Sequence, residues 1–265
     1  MKSTFLALAT GLLSSIPLGL AAPARTHIQD ARASNAGTPS CDLSSVTLPL
    51  APTPLPSPDG LSLSLVAVGH GIQNYTCANS TAQATPAPIG AVARLYNASC
   101  LAASYPDLLA MIPNIVLSLP ELSASDSSDS ATTLGLSRIA LSGHHYFSTK
   151  TTPVFELDSA SDPLSHLGIV VGTKGANSTA PPSAPQGQNG AVPWLYLTAT
   201  NASETVTTQG VVRVGADSQG NEWKAIYRLL TAGGSAPKTC EGLDDSSTGF
   251  SVDYSAVYYF YKGAS

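Results

Sequence analysis

The chain has 265 residues, a formal net charge of −5 and only 11% charged residues. A mildly acidic chain of this composition lacks the basic surface that nucleic acids and anionic membranes require, which excludes both as partners. Its four cysteines, an even number, are typical of disulfide bonds formed in an oxidising compartment.

The N-terminus has the pattern of a secretory signal peptide over residues 1–22. Lys2 supplies a positive charge, residues 5–20 are apolar, and "LAAPA" offers small residues for cleavage. The apolar run is short for a membrane span. We therefore expect a secreted protein, extracellular or in the cell wall.

Two features of the remaining chain agree with secretion in a eukaryote, and we expect a fungal glycoprotein. The first is a set of five glycosylation sequons, at Asn74, Asn79, Asn97, Asn177 and Asn201. The second is the cysteine set Cys41, Cys77, Cys100 and Cys240, which allows three connectivities. We favour Cys41–Cys100 and Cys77–Cys240. The chain lacks CxxC spacing, which disfavours a zinc knuckle or a redox pair.

Residues 23–60 are rich in Ala, Pro and Ser and are predicted to form an extended N-terminal arm. Residues 123–133 and 175–190 are polar, low-complexity loops. The pieces between these loops are too short to fold alone. We therefore predict one β domain over residues 61–265.

Short runs of strand character follow one another along this domain, and helical periodicity is scarce. Residues 105–112 are predicted to form two helical turns, with Pro106 in the first. The predicted strands cover residues 61–68, 72–77, 91–96, 136–141, 167–171, 192–200, 211–214, 223–230 and 252–262. The pattern indicates an all-β, single-domain sandwich or barrel with long Pro/Ser-rich loops and at most one or two short helices.

The last predicted strand carries aromatic residues on both faces. Tyr259 and Tyr261 share one face, whereas Tyr254, Tyr258 and Phe260 share the other. We expect this strand to be covered on both sides, with most of these rings in the core. An aromatic binding surface is the alternative.

The stretch "VAVGHGIQN" has two glycines after an apolar strand, as a dinucleotide-binding loop does. The third glycine is replaced by Asn74, and the residues that follow have strand character where a helix is required. We therefore predict a tight turn or bulge between two strands, with His70 exposed in it. The chain also lacks the serine-hydrolase GxSxG and zinc-protease HExxH motifs.

His144 and His145 are adjacent, so on a regular strand they point to opposite faces and cannot ligate one metal ion. A three-histidine site would need His70, one of this pair and His166 to converge, and no ligand spacing supports it. We expect no metal and no cofactor, and we expect His145 to lie in a pocket or in a polar network.

Five separated stretches occur in the order of one known family: "GHGIQNYTC", "GHHYF", "VPWLYL", "YRLLTAGGSAPKTC" and "VDYSAVYYFYK". They resemble the motifs of DUF3455, a family of secreted bacterial and fungal proteins of unknown function, over most of residues 60–262. The segment after Tyr146 departs from the family's Gly-Pro-aromatic pattern. Fungal members often carry a transferred malate dehydrogenase label, which this sequence does not support because it lacks a nicotinamide-binding signature.

The resemblance implies structural roles for some motif residues and leaves a polar remainder. Gly233, Gly234 and Pro237 have turn chemistry, and Cys77 and Cys240 are expected to form a disulfide. The remainder is the predicted candidate pocket: Gln73, Tyr75, His145, Trp194, Arg228 and Tyr254. Donors, an imidazole and an aromatic wall would suit a sugar or a small polar ligand. The alternative is a buried polar network in which each group satisfies another.

We therefore expect a protein that binds a small polar ligand or glycan without catalysis. One alternative is an extracellular hydrolase that uses His145, which would need a second ionisable group within hydrogen-bond reach. The other is a secreted effector that acts on a host partner through a large exposed apolar patch.

Overall fold

The computed structural model describes residues 41–119, 134, 139–157, 167–201, 203–207, 210–243 and 249–263. These residues form ten strands and two short helices, which confirms the all-β class. The strands are β1 (Leu61–Thr76), β2 (Ala87–Asn97), β3 (Leu141–Thr149), β4 (Thr152–Glu156), β5 (Ile169–Ser178), β6 (Trp194–Ala199), β7 (Ser203–Thr207), β8 (Gly210–Val214), β9 (Trp223–Gly233) and β10 (Phe250–Gly263). The helices are α1 (Ser99–Ser104) and α2 (Pro106–Leu117).

Eight of the strands close into one antiparallel barrel. Their order is β4-β3-β2-β1-β10-β9-β6-β5, and the pairing of β4 with β5 completes the circle. Strands β7 and β8 form a hairpin that is not part of the circle. It joins β5 through a single parallel pair, Ile169 with Val214. Because β4 pairs with β5, the eight strands form a closed circle, and alternate residues face the barrel interior and the outside.

The barrel interior is filled by apolar and aromatic side chains. The Phe155 ring on β4 lies 5.6 Å from Tyr258 and 5.4 Å from Phe260, both on β10. Because β3, β2 and β1 separate these two strands in the sheet, the contacts must cross the interior. The aromatics predicted on this face of the last strand are therefore core residues, as expected.

The outer face of the barrel carries a second apolar cluster, covered by the helices and the N-terminal arm. Tyr259 and Tyr261 belong to it, which confirms that β10 is buried on both faces. The arm is bound to this face where the Tyr227 hydroxyl donates to the Pro56 carbonyl, at 2.7 Å. Residues 41–60 contain neither helix nor strand.

The structure joins Cys41 to Cys100 and Cys77 to Cys240, with Cα–Cα distances of 4.9 and 6.0 Å. This is the pairing favoured from the sequence. The first bridge ties the start of the arm to α1. The second ties the end of β1 to the segment that follows β9.

The predicted turn at "GHG" is wrong, because β1 runs unbroken through it. Gly69 and Gly71 face inward, where a Cβ at Gly69 would lie 2.6 Å from the Tyr258 ring. A Cβ at Gly71 would lie 1.9 Å from the Val92 carbonyl oxygen. Close packing rather than a turn requires these glycines. His70 faces outward and is only 4% exposed, which corrects its expected exposure.

Several boundaries also differ from those predicted. Residues 136–138 of the strand expected at 136–141 lie outside the described residues, and β3 begins at Leu141 and continues through both histidines. The short strands β4 and β7 and helix α1 were not predicted. Helix α2 begins at Pro106 as expected and continues through the buried Pro113 to Leu117.

Some predictions fall outside the described residues. These are the signal peptide, arm residues 23–40, and the loop at 123–133. No helix among the described residues has the length and apolar character needed to cross a membrane.

Candidate functional site

Five of the six predicted pocket residues lie on the inner face at one end of the barrel. They come from four strands: Gln73 and Tyr75 from β1, His145 from β3, Arg228 from β9 and Tyr254 from β10. The charge of Arg228 acts on Tyr75, His145 and Tyr254. With Tyr258, which contacts the same groups, these residues are called the Arg228 cluster.

Arg228 is the charged centre of the cluster and is only 8% exposed. One of its terminal nitrogens donates to the Pro193 carbonyl at 2.9 Å. Its Nε has no hydrogen-bond partner among the described residues, and no described carboxylate forms a salt bridge with it. The guanidinium also hydrogen-bonds the Tyr258 phenol. A buried charge is costly unless it is paired and fully hydrogen-bonded, so the Nε–H is the group that this environment leaves uncompensated.

Gln73 supplies a second donor whose hydrogen bonding is incomplete. Its Nε2 is buried and has no well-formed hydrogen bond among the described residues. A weak hydrogen bond from the amide to the Tyr254 phenol lowers the pKa of that phenol, against the larger effect of burial. Gly234 leaves room for the amide, since a Cβ there would lie 3.3 Å from Gln73 Cγ.

Two tyrosine hydroxyls meet at the centre of the cluster. The Tyr254 and Tyr258 oxygens are 2.9 Å apart. Burial raises the pKa of both phenols, so both stay protonated at neutral pH. Tyr258 was predicted only as core, although strand alternation puts it on the same face as Tyr254.

His145 is buried and neutral. Its Nδ1 lies 2.9 Å from the Val154 carbonyl oxygen, and because a carbonyl only accepts, Nδ1 carries the proton. The ring stacks on Phe155 at 4.2 Å. Burial, assisted by the charge of Arg228, lowers the pKa of His145 to about 4.

The two adjacent histidines split between the faces, as alternation predicts. His144 faces outward, in register with Arg94 on β2 and Glu156 on β4. His70 also faces outward, so it does not meet His145, while His166 lies outside the described residues. Within the described part of the chain, no three His, Cys, Asp or Glu side chains are placed to hold a metal ion.

Trp194 does not belong to the predicted pocket, which corrects that assignment. On β6, Leu197 belongs to the interior cluster, whereas Trp194 belongs to the outer one. The alternation of a strand therefore turns the indole away from Arg228. Its Nε1 is buried without a hydrogen-bond partner among the described residues.

The sequon asparagines occupy different surroundings. Three are exposed: Asn79, Asn177 and Asn201. Asn74 and Asn97 are half-buried, and each Oδ1 accepts a hydrogen bond, from Ser251 and from the Ser99 amide respectively. Glycans are accommodated most easily at the three exposed positions.

The profile of one family, described as a protein of unknown function (DUF3455), matches residues 56–262. This confirms the resemblance seen in the five motifs. No curated protein and no solved structure matches the chain.

Proposed function

This chain belongs to the DUF3455 family, and we propose that it is a secreted glycoprotein, extracellular or cell-wall-associated, that binds a small anionic ligand without catalysis. The binding site is the Arg228 cluster. The observation that supports this most directly is a buried guanidinium that no described carboxylate pairs with.

The cluster lacks acceptors rather than donors. Arg228 Nε and Gln73 Nε2 both present N–H groups without a well-formed hydrogen bond among the described residues. A carboxylate or phosphate group supplies the missing acceptors and a compensating charge. Arg binds such groups with two parallel hydrogen bonds, which makes these pairs strong and directional.

The buried-network alternative accounts less well for these atoms. In such a network each polar group satisfies another, but these two donors lack well-formed hydrogen bonds within the described chain. Each unsatisfied buried donor costs about 1–3 kcal/mol. An anionic ligand removes that cost at both atoms.

Access to the cluster is narrow. Arg228 and Gln73 each keep 8% of their surface exposed. Phe250 stacks on Tyr75 and Phe147 contacts His145, so both aromatic rings border the cluster. This favours a ligand whose anionic head reaches Arg228 while the rest of the molecule stays outside.

The surroundings of His145 favour a role in ligand binding over a role as the general base of a hydrolase. Its pKa of about 4 makes the imidazole a weak base. In the described part of the chain, its one hydrogen bond is to a backbone carbonyl, and no carboxylate orients it. The neutral ring can accept a hydrogen bond at Nε2 from a protonated ligand group.

The proposed extracellular location is supported by the disulfides, the signal-peptide pattern and the glycosylation sequons. The two disulfides are compatible with secretion. The signal-peptide pattern and the three exposed sequons support the same location and predict glycans at Asn79, Asn177 and Asn201.

Thermal unfolding in a panel of anions at fixed ionic strength tests the site. Citrate, malonate, phosphate and sulfate would be compared on wild type, Arg228→Met and Lys174→Met, which removes an exposed cation. A site ligand at 100 times its Kd stabilises wild type by about 2.7 kcal/mol. Arg228→Met should lose this gain and Lys174→Met should keep it. Equal gains in all three proteins, or no gain with any anion, would contradict the proposal.

A further inference from the structure

A cavity, called here the α2 groove, lies outside the barrel interior where three elements meet. These are the C-terminal end of α2, the loop at residues 185–188 and the first residues of β10. Its volume is about 460 Å³, within the range of about 300–1,000 Å³ typical of small-molecule sites. Its polar lining residues are Asn114, Ser118, Gln186, Gln188, Ser251 and Asp253.

We propose that the α2 groove binds neutral sugar residues of a glycan. Its lining has three amides, two hydroxyls and one carboxylate, and no Lys, Arg or His. Amides donate and accept hydrogen bonds, as sugar hydroxyls do, so the two sets are complementary. Leu117 and Pro185 add apolar surface for the C–H face of a pyranose ring.

The loop that forms one wall is held in place without a ligand. The Gly233 amide donates to the Pro185 carbonyl at 2.9 Å, and the Gly190 amide donates to Gln186 at 2.7 Å. Gly187 packs on Gly233, since a Cβ on Gly187 would lie 3.0 Å from the Gly233 Cα. A preformed wall lowers the ordering cost of binding.

The charges around the groove select against acidic sugars. The C-terminal end of α2 adds partial negative charge, and no Lys, Arg or His lines the groove. The carboxylate of a uronic acid residue would therefore find no cationic partner there. This preference is opposite to that of the Arg228 cluster, so the groove is a site beyond the proposed anion-binding function and does not depend on it.

Calorimetric titration with hexasaccharides of cellulose, laminarin and chitin, and with hexagalacturonate as the acidic probe, tests the inference. Asn114 and Gln188 are exposed, so Asn114→Ala and Gln188→Ala should fold normally. Gln219→Ala is the matched control, because Gln219 is an exposed amide that does not line the groove. Thermal unfolding of each variant shows whether it is folded as the wild type is.

We expect saturable binding of at least one neutral hexasaccharide and none of hexagalacturonate. Each groove substitution should weaken binding about tenfold, the equivalent of one net hydrogen bond, while Gln219→Ala binds as wild type does. No binding of any neutral hexasaccharide, or binding that both groove substitutions leave unchanged, would overturn the inference.

Discussion

Two cationic side chains with little exposure, Lys262 and Arg228, lie in opposite surroundings. Near the end of β10, Lys262 donates to Asp217 at 2.6 Å, with the two side chains only 12% and 6% exposed. Lys262 also lies 4.6 Å from the centre of the Trp223 ring, and Asn221 donates to the same carboxylate. Arg228 has a backbone carbonyl and neighbouring phenols but no described carboxylate.

The comparison distinguishes Lys262, whose charge is paired with Asp217 within the chain, from Arg228, whose charge no described carboxylate pairs with. Arg228 is in register with Tyr258, four residues or roughly 13 Å along β10 from Lys262, and its guanidinium donates to the Pro193 carbonyl. The Lys262 ion pair is completed within the chain. The Arg228 pair is incomplete, which is the arrangement that a ligand can complete.

The largest expected difference is in stability. Asp217→Ala leaves Lys262 buried without its counterion and should lower the free energy of unfolding by about 3–5 kcal/mol. The double variant Asp217→Ala/Lys262→Met should recover part of that loss. Urea denaturation measures both. Full stability of the single variant would show that the pair contributes nothing.

The next effect is a pH dependence in the Arg228 cluster. Burial lowers the pKa of His145 to about 4, below the unfolded value of about 6.5. The unfolded state therefore binds the proton first, and stability falls as pH decreases from about 6.5 to 4, by about 3 kcal/mol. His145→Phe should flatten this part of the stability–pH curve. An unchanged curve would mean that His145 titrates normally.

The Lys262–Asp217 pair should titrate in a lower window. Burial opposes ionisation of Asp217, but hydrogen bonds from Lys262 and Asn221 outweigh it and lower its pKa to about 2. The stability from this pair is complete above about pH 4 and is lost as pH falls towards 2, by about 2 kcal/mol. Lys262→Met should reduce this slope, because the hydrogen bonds from Asn221 remain, and should leave the His145 slope intact. Acid unfolding of both variants would show whether the two regions titrate separately.

The smallest stability effect belongs to Arg228 itself. Arg228→Met replaces an uncompensated buried cation by an apolar chain and should change the free energy of unfolding by less than about 1 kcal/mol. The comparison with Asp217→Ala sharpens the distinction between the two charges. A loss as large as that of Asp217→Ala would make Arg228 a structural charge, contrary to the proposed role.

The fold could be predicted where side-chain alternation carries the information. The aromatics on both faces of β10 correctly indicated a strand buried on two sides. Gly69 and Gly71 misled because glycines that make room for the Tyr258 ring and a neighbouring backbone look the same in sequence as turn glycines. Nothing local distinguishes them, since the clashing atoms lie on other strands.

The site was only partly predictable for the same reason. The motifs identified five residues of the Arg228 cluster, but Trp194 was misplaced because β6 has large residues on both faces. Tyr258 was missed because a buried tyrosine in an apolar run is usually core. The α2 groove has no motif: Asn114, Gln188 and Asp253 meet only through tertiary packing.

Gly233 and Gly234 lie between the α2 groove and the Arg228 cluster, and their missing side chains would point to different neighbours. A side chain on Gly233 would reach Leu117, which lines the α2 groove, whereas one on Gly234 would reach Tyr254, Val192 and Gln73 at the Arg228 cluster. Both glycines have positive φ, 62° and 90°. A side chain at Gly233 would crowd the α2 groove, whereas one at Gly234 would crowd the Arg228 cluster. Changes at two adjacent codons would therefore alter these two regions separately.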